Sequence, residues 1–186
     1  MESFKCLICG MNVNSSNIHI NKNSFLNGNS FENLYCPFCG ADSPYISSEG
    51  DIFIQIDESL DQVTLDVLDK AMKLEVFNGE FYSEASKLAK DENTKIMFDD
   101  LSNIEMMHAR IHMKMGGFES LPTLTKPTYY EKLSSDVLLI KEAHSREIHA
   151  VAFYEKNMDS VCSPKIKEVF KVLSEVEKQH IYLTSE

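Results

Sequence analysis

From residue 65 to the C-terminus, apolar positions return every three to four residues. This spacing predicts helices near 65–90, 93–115, 134–161 and 165–184. Thr64 reads as the N-cap of the first helix, with Asp66 in a first turn that favours negative charge. Asp91-Glu92-Asn93 reads as a short turn, Gly116-Gly117 as the stop of the second helix, and Ser163-Pro164 as the break before the fourth. Between Gly117 and Tyr130, with Pro122 and Pro127, no pattern survives. At about 3.3 Å per residue this stretch reaches roughly 45 Å, enough for a crossover running the length of a bundle. Upstream, Ile52, Ile54 and Ile56 alternate with Phe53, Gln55 and Asp57, which predicts a short strand.

The helical region repeats itself. Glu75, Phe81, Tyr82, Phe98, Leu101, Glu105 and His108 each recur 72 positions later as Glu147, Phe153, Tyr154, Phe170, Leu173, Glu177 and His180. One residue type matches by chance about one time in fifteen, so a run in one ungapped register marks a duplication. The chain divides accordingly into residues 1–47, a 48–63 linker, and a helical domain over 64–186. That domain holds repeats at 64–116 and 134–186 joined by a 117–133 crossover.

The repeat preserves a Glu followed thirty residues later by Glu-x-x-His. Residues three apart share a helix face, so Glu105 with His108, and Glu177 with His180, can each reach one point. Glu75 and Glu147 add a carboxylate each from the partner helices. This is the ligand set of carboxylate-bridged dimetal bundles. Four carboxylates balance two divalent ions when both histidines are neutral. The pseudo-twofold pairs Glu75 with His108 on one ion and Glu147 with His180 on the other, leaving Glu105 and Glu177 to bridge. Tyr82 and Tyr154, two turns past Glu75 and Glu147, are candidate donors to the site, or electron relays. His144, three before Glu147, is a further candidate ligand. His112 and His149 read as structural or exposed. Asp100 and Glu142 read as solvated, and Met106, Met107, Met113 and Met115 as core filling.

The first 47 residues carry Cys6-x-x-Cys9-Gly10 and Cys36-x-x-Cys39-Gly40, separated by a polar Asn- and Ser-rich stretch. The glycines allow the positive φ that turns backbone N–H groups toward sulfur. Four thiolates make a tetrahedral site for iron or zinc, and binding would supply much of this small module's folding energy. Cys162 reads as a free, partly buried thiol.

The 186-residue chain is 43% apolar, 25% charged, and carries a formal charge of -11. It is globular, and its charge argues against a nucleic-acid partner. No apolar run reaches membrane-spanning length, and the start Met1-Glu2-Ser3-Phe4-Lys5-Cys6 lacks a secretory pattern. The expected location is the cytoplasm.

Cys6-Leu7-Ile8-Cys9-Gly10 and Cys36-Pro37-Phe38-Cys39-Gly40 resemble the two rubredoxin knuckles, and Ser30-Phe31-Glu32-Asn33-Leu34 resembles the segment leading to the second. The spacer is shorter, and Met11 stands where rubredoxins usually carry an aromatic. Ala71-Met72-Lys73-Leu74-Glu75, Phe81-Tyr82 and Glu105-Met106-Met107-His108 resemble the ferritin-like superfamily in its rubrerythrin branch. The cysteine module comes first, as in reverse rubrerythrins. The resemblance implies a mainly α protein, a ferritin-like four-helix bundle behind a small rubredoxin-like or zinc-ribbon metal domain. It implies two iron ions in the bundle, one iron or zinc in the four-cysteine site, and peroxide reductase activity fed by an external electron donor. A homodimer is the expected assembly, in which a small module on a flexible joint could deliver electrons across protomers. One departure stands out. Rubrerythrins have a further glutamate, active in redox-linked ligand exchange, where this chain has His144. The alternatives are a diiron oxidase or ferroxidase using dioxygen, and a non-enzymatic metal-binding protein with a structural zinc ribbon.

Overall fold

The computed structural model describes residues 4–30 and 32–185. Phe31, in the segment likened to rubredoxin, lies outside them. The chain opens with a small antiparallel sheet of β1 (Phe4–Cys6), β2 (Asn12–Val13) and β3 (Ile46–Ser47), with β1 central. Phe4 faces Val13 across one pair, and Cys6 faces Ile46 across the other. Four helices follow: α1 (Gln62–Leu88), α2 (Glu92–Gly116), α3 (Asp136–Asn157) and α4 (Pro164–Leu183). A 3-10 turn, Thr128–Lys132, ends the crossover.

The helix boundaries move for identifiable reasons. Asp61, not Thr64, caps α1, accepting the Thr64 N–H at 2.8 Å. Asp66 therefore lies beyond the first turn, where its carboxylate accepts from Gln62 at 2.7 Å. Thr64 is buried, and its Oγ1 accepts the Cys162 N–H at 2.8 Å, tying the start of α1 to the α3–α4 loop. Asp91 caps α2 in the same way as Asp61 caps α1, so Glu92 is helical rather than part of a turn. Gly117, at φ 67°, closes α2 in the left-handed conformation. α3 ends at Asn157, four residues short of expectation, in a turn closed by Ser160.

The strand expected at Ile52–Ile56 does not form. The Phe53 N–H donates to the Leu7 carbonyl at 2.7 Å, and the Gln55 N–H turns back to Ile52. Ile52 and Ile54 lie against Gly10, while Phe53, Ile54, Ile56 and Leu60 pack on the shared core. The alternating apolar residues are used in packing over the cysteine module, with no strand ladder.

Among the described residues, the cysteine module has no core of its own. Its four cysteines, Ile8 and Val13 belong to one buried cluster with Val67, Leu68, Ala71, Ile111, Tyr154, Phe170 and Leu173 of the bundle. A second cluster, around Phe81, Tyr82, Phe98, Leu101 and Leu139, fills the opposite part of the bundle. A module too small to bury a core is completed by the helices beneath it. Asn23 fastens its loop to α2, donating to Asp100 through the backbone at 2.9 Å and the side chain at 2.7 Å. Asp100 is thus an anchor rather than a solvated residue.

Candidate metal centres

Two sets of donors converge. In the module, Cys6 Sγ and Cys39 Sγ lie 3.6 Å apart, as do Cys9 Sγ and Cys36 Sγ, and all four are buried. These separations far exceed a disulfide bond. The Gly10 and Gly40 N–H groups close the two turns onto the Cys6 and Cys36 carbonyls at 2.8 and 2.9 Å, with φ of 78° and 77°. Burial pushes the Cys36 and Cys39 thiols well above their usual range, whereas hydrogen bonds from Cys36 and its neighbours pull Cys6 well below. A thiophilic cation would remove that conflict by ionising all four. The four donors fit one ion. Cys162, expected to be partly buried, is exposed and takes no part.

In the bundle, Glu75 and Asn78 of α1, Glu105 and His108 of α2, Glu147 of α3, and Glu177 and His180 of α4 are all buried. Their donors form two groups. Glu75, Glu105, His108 and Glu177 make one, and Glu105, Glu147, Glu177 and His180 the other, with all donor atoms of a group within 4.8 Å. Glu105 and Glu177 are common to both. His108 Nδ1 lies 2.9 Å from Glu177 Oε1, and His180 Nδ1 lies 3.0 Å from Glu177 Oε2 and 3.2 Å from Glu105 Oε1. Apart from these contacts between histidines and carboxylates, both Glu105 carboxylate oxygens, one oxygen each of Glu75, Glu147 and Glu177, and His108 Nδ1 have no hydrogen-bond partner among the described residues. Leaving so many buried acceptors unpaired is costly unless cations bind them. The residues fit a dimetal site.

The electrostatics agree. Burial, with Glu105 and Glu177 beside them, pushes Glu75 and Glu147 well above the carboxylate range. Burial pushes Glu177 up too, but the charged His108 overrides it and holds Glu177 low. Burial and the Glu177 charge push Glu105 up, but the two histidines beside it hold it low. Burial disfavours charged imidazoles, yet Glu177 and Glu105 lift His108 well above its usual range and His180 to about 9. Without metal these shifts run toward charged histidines beside carboxylates at Glu105 and Glu177, and toward protonated Glu75 and Glu147. Cations would replace these protons.

Each tyrosine reaches across to the other repeat. Tyr82 OH donates to Glu147 Oε1, and Tyr154 OH donates to Glu75 Oε1. The supports beyond them differ. His112 Nε2 lies 2.8 Å from the Tyr154 hydroxyl and is buried against Phe170. Burial lowers its pKa to about 3, so the ring is neutral. Since Tyr154 gives its proton to Glu75, His112 must donate through Nε2–H. His108 is held from outside by the module: its Nε2 lies 2.9 Å from the Cys39 carbonyl oxygen. That contact fixes the tautomer, with Nε2–H donating to the carbonyl and Nδ1 free to ligate.

Not every expected residue arrives. His144 belongs to neither donor group; it is partly exposed, with Nδ1 3.4 Å from Thr184 Oγ1. The sequence reading of His112 as structural or exposed resolves to the first, while the Cys39 carbonyl and Arg146 went unmarked. His112 lies one turn beyond His108, but its repeat counterpart is Thr184, so the duplication did not single it out. A backbone carbonyl leaves no signal at all. Arg146, next to Glu147, is buried with its guanidinium over the Phe77 and Phe81 rings, at 4.3 and 4.2 Å from their centroids. It fastens the crossover to α1 and α3 through Tyr129 and Tyr130, and its Nε donates to Glu142 at 3.0 Å. Glu142 is consequently a partner of Arg146, not a solvated face.

Four helices giving two carboxylates and two Glu-x-x-His pairs, behind a four-cysteine module, define a ferritin-like carboxylate-bridged bundle with a rubredoxin-like domain. Residues 66–185 match the rubrerythrin family, and the chain belongs to it. Neither a curated protein nor a solved structure gives a significant match. Family and donor sets together support a diiron protein. Among the described residues, no helix is long and apolar enough to cross a membrane.

Proposed function

We propose that the protein is a non-haem diiron oxidoreductase that reduces hydrogen peroxide, with electrons from an external donor entering at an iron held by Cys6, Cys9, Cys36 and Cys39. The reading is carried by the 2.9 Å contact between the Cys39 carbonyl oxygen and His108 Nε2. It joins the thiolate set to the carboxylate set through one residue of bonded chain and one hydrogen bond, all within a single chain. A purely structural zinc ribbon would have no need to touch a ligand of the bundle.

Iron bound by the two bundle groups would supply the electrons for O–O cleavage, and peroxide with two electrons and two protons yields two waters. The remaining work falls to the chain. Glu105 and Glu177 hold the two positions together, while Glu75 and Glu147 are fixed by Tyr154 and Tyr82. Burial keeps both phenols protonated, with pKa values well above the usual range, so they act as donors to the carboxylates. The closed aromatic and aliphatic clusters on either side exclude bulk water.

The test is metal content with a visible spectrum on protein purified without oxygen, followed by turnover of the Cys39→Ser variant. Iron in both sites and a red thiolate band are expected. Cys39→Ser should lose multi-turnover peroxide reduction with a physiological reductant, yet pre-reduced variant should still consume peroxide once. A colourless zinc module, or unchanged multi-turnover rates in the variant, would show that electrons do not enter there.

A further inference from the structure

The two donor groups share Glu105 and Glu177, so any difference between them lies in how their own two residues are braced. In the Glu75–His108 half both are held from behind. Tyr154 OH donates to Glu75 Oε1, and His112 Nε2 lies 2.8 Å from the Tyr154 oxygen. The His112 ring is buried, stands perpendicular to Phe170 with centroids 5.6 Å apart, and has no hydrogen-bond partner at Nδ1. The Tyr154 hydroxyl is thus its one polar contact among the described residues. Nε2–H occupies an acceptor site of that oxygen, which leaves the phenol proton to Glu75. His108 is braced by the module, through the 2.9 Å contact of its Nε2 with the Cys39 carbonyl oxygen. Cys39 is itself one of the four thiol donors, so an ion on its sulfur fixes the residue whose carbonyl orients the imidazole.

The Glu147–His180 half has neither brace. Tyr82 OH donates to Glu147, but the position matching His112 is Thr184. The Thr184 hydroxyl turns back on its own chain, donating to the His180 carbonyl at 2.8 Å, and reaches no tyrosine. Phe98 stacks on the Tyr82 ring, with centroids 5.8 Å apart, and offers no donor to its oxygen. Among the described residues, the contacts of the His180 ring run through Nδ1, to Glu177 and Glu105. No counterpart of the Cys39 carbonyl holds its Nε2 there. Ligands already held in the binding geometry lose less freedom when an ion arrives, so the braced half has the higher affinity.

We propose that the three metal positions fill in order: an ion in the cysteine site primes the Glu75–His108 half, which then binds before the Glu147–His180 half. The inference rests on the dimetal reading of the bundle and is independent of whether the loaded protein reduces peroxide. By linkage the coupling is reciprocal, so an ion at His108 also tightens the cysteine site. His112 is a positioning residue that acts on Glu75 through Tyr154. Each brace is one hydrogen bond, worth about tenfold in a dissociation constant.

Zinc titration of metal-free, full-length protein, followed by NMR of the imidazole rings, tests the order without redox chemistry. The first equivalent should fill the cysteines. With the second, about three-quarters of His108 but only about a quarter of His180 should reach the zinc-bound form, the split that a tenfold difference in affinity gives. Equal occupancy, or His180 first, would overturn the order. Cys9→Ser with Cys36→Ser keeps Cys39 but removes the cysteine site. In that variant the zinc dissociation constant at His108 should rise about tenfold while that at His180 holds; an unmoved His108 would overturn the coupling. His112→Phe should weaken zinc at His108 by about the same factor, and His112→Gln, whose side-chain amide can still donate to Tyr154, should restore it. If the two substitutions behaved alike, positioning through that hydrogen bond would be refuted. A bundle that took up no zinc would end the dimetal reading and this order together. Failure of the iron-loaded protein to reduce peroxide would end only the function proposed above.

Discussion

The half of the core built on Glu75 and His108 and the half built on Glu147 and His180 begin from the same residues and end in different surroundings. Each has a carboxylate fixed by a tyrosine from the opposite repeat, and both share Glu105 and Glu177. Around His108, however, the Cys39 carbonyl holds the outer ring nitrogen, and His112 stands behind Tyr154. Around Glu147 the neighbours are Arg146 and, through it, the crossover. Positions 112 and 184 are His and Thr, 74 and 146 Leu and Arg, 78 and 150 Asn and Ala. The duplication has kept what a metal must touch and let the supports diverge. One half is shaped to meet the cysteine module, the other to carry the crossover.

The most severe break in this comparison comes from what the halves share. Glu105→Ala removes a carboxylate from both donor groups at once and should cost the bundle most of its metal, whereas Glu147→Ala should empty mainly one half. Metal content per chain decides this, and a full complement in Glu105→Ala would sink the shared-bridge arrangement.

Next in size is the docking of the module. A Cβ on Gly40 would lie 2.6 Å from Val176 Cγ1, beside Glu177, and the residue has φ of 77°. Gly40→Ala should cost about 2–4 kcal/mol from left-handed strain plus overpacking. It should disturb the His108 half and spare His180, which imidazole NMR of the two rings would report. Equal stability to the parent in chemical denaturation would show that the module is not seated as described.

The metal-free core sharpens the contrast with the loaded one through pH. His180 titrates near 9 in the folded chain, above its unfolded value of about 6.5, so the folded state binds more protons in that interval. The resulting stabilisation is complete below about pH 6.5 and disappears as pH rises through 9, roughly 3–4 kcal/mol in all. The raised carboxyls of Glu75 and Glu147 act in the same direction. Thermal melts of metal-free protein should fall from pH 6 to pH 9, while loaded protein, whose histidines are coordinated rather than protonated, should change little. Metal uptake should release about four protons, one from each of these two carboxyls and each of the two histidines. Flat melts would refute the charge pattern.

The smallest effect tests the asymmetry itself. His112→Phe keeps the ring volume but removes the donor to Tyr154, at a cost of about 1–2 kcal/mol. Because Tyr154 holds Glu75, binding at the Glu75–His108 half should weaken, by about tenfold or more. Thr184→Val, at the matching position of the other repeat, should leave that half unchanged. If both substitutions behaved alike, the two halves would be equivalent after all.

Much of the fold was legible because periodicity and repetition are local records of burial. The four helices lie close to where the apolar spacing placed them, with ends moved by caps such as Asp61, three residues before the expected Thr64, since the side chains of both can accept a backbone N–H. Ile52–Ile56 misled for a related reason: alternation reports that one side of a segment is covered, but not whether a ladder partner exists, and here the cover is the knuckle at Gly10. Asp100 and Glu142 looked solvated because their partners, Asn23 and Arg146, are either distant in sequence or ordinary in it.

The chain by itself determined the helices, the duplicated ligand spacing and the four-cysteine module, because helical geometry brings residues three apart to one point and a repeat brings two such points together. The tertiary structure decided what surrounds them. The seating of Gly40 on Val176, the hand of Cys39 on His108, the exclusion of His144 and the unpaired Nδ1 of His112 all depend on contacts between segments far apart in sequence. Several involve backbone atoms or the absence of a partner, and neither leaves a mark on residue identity.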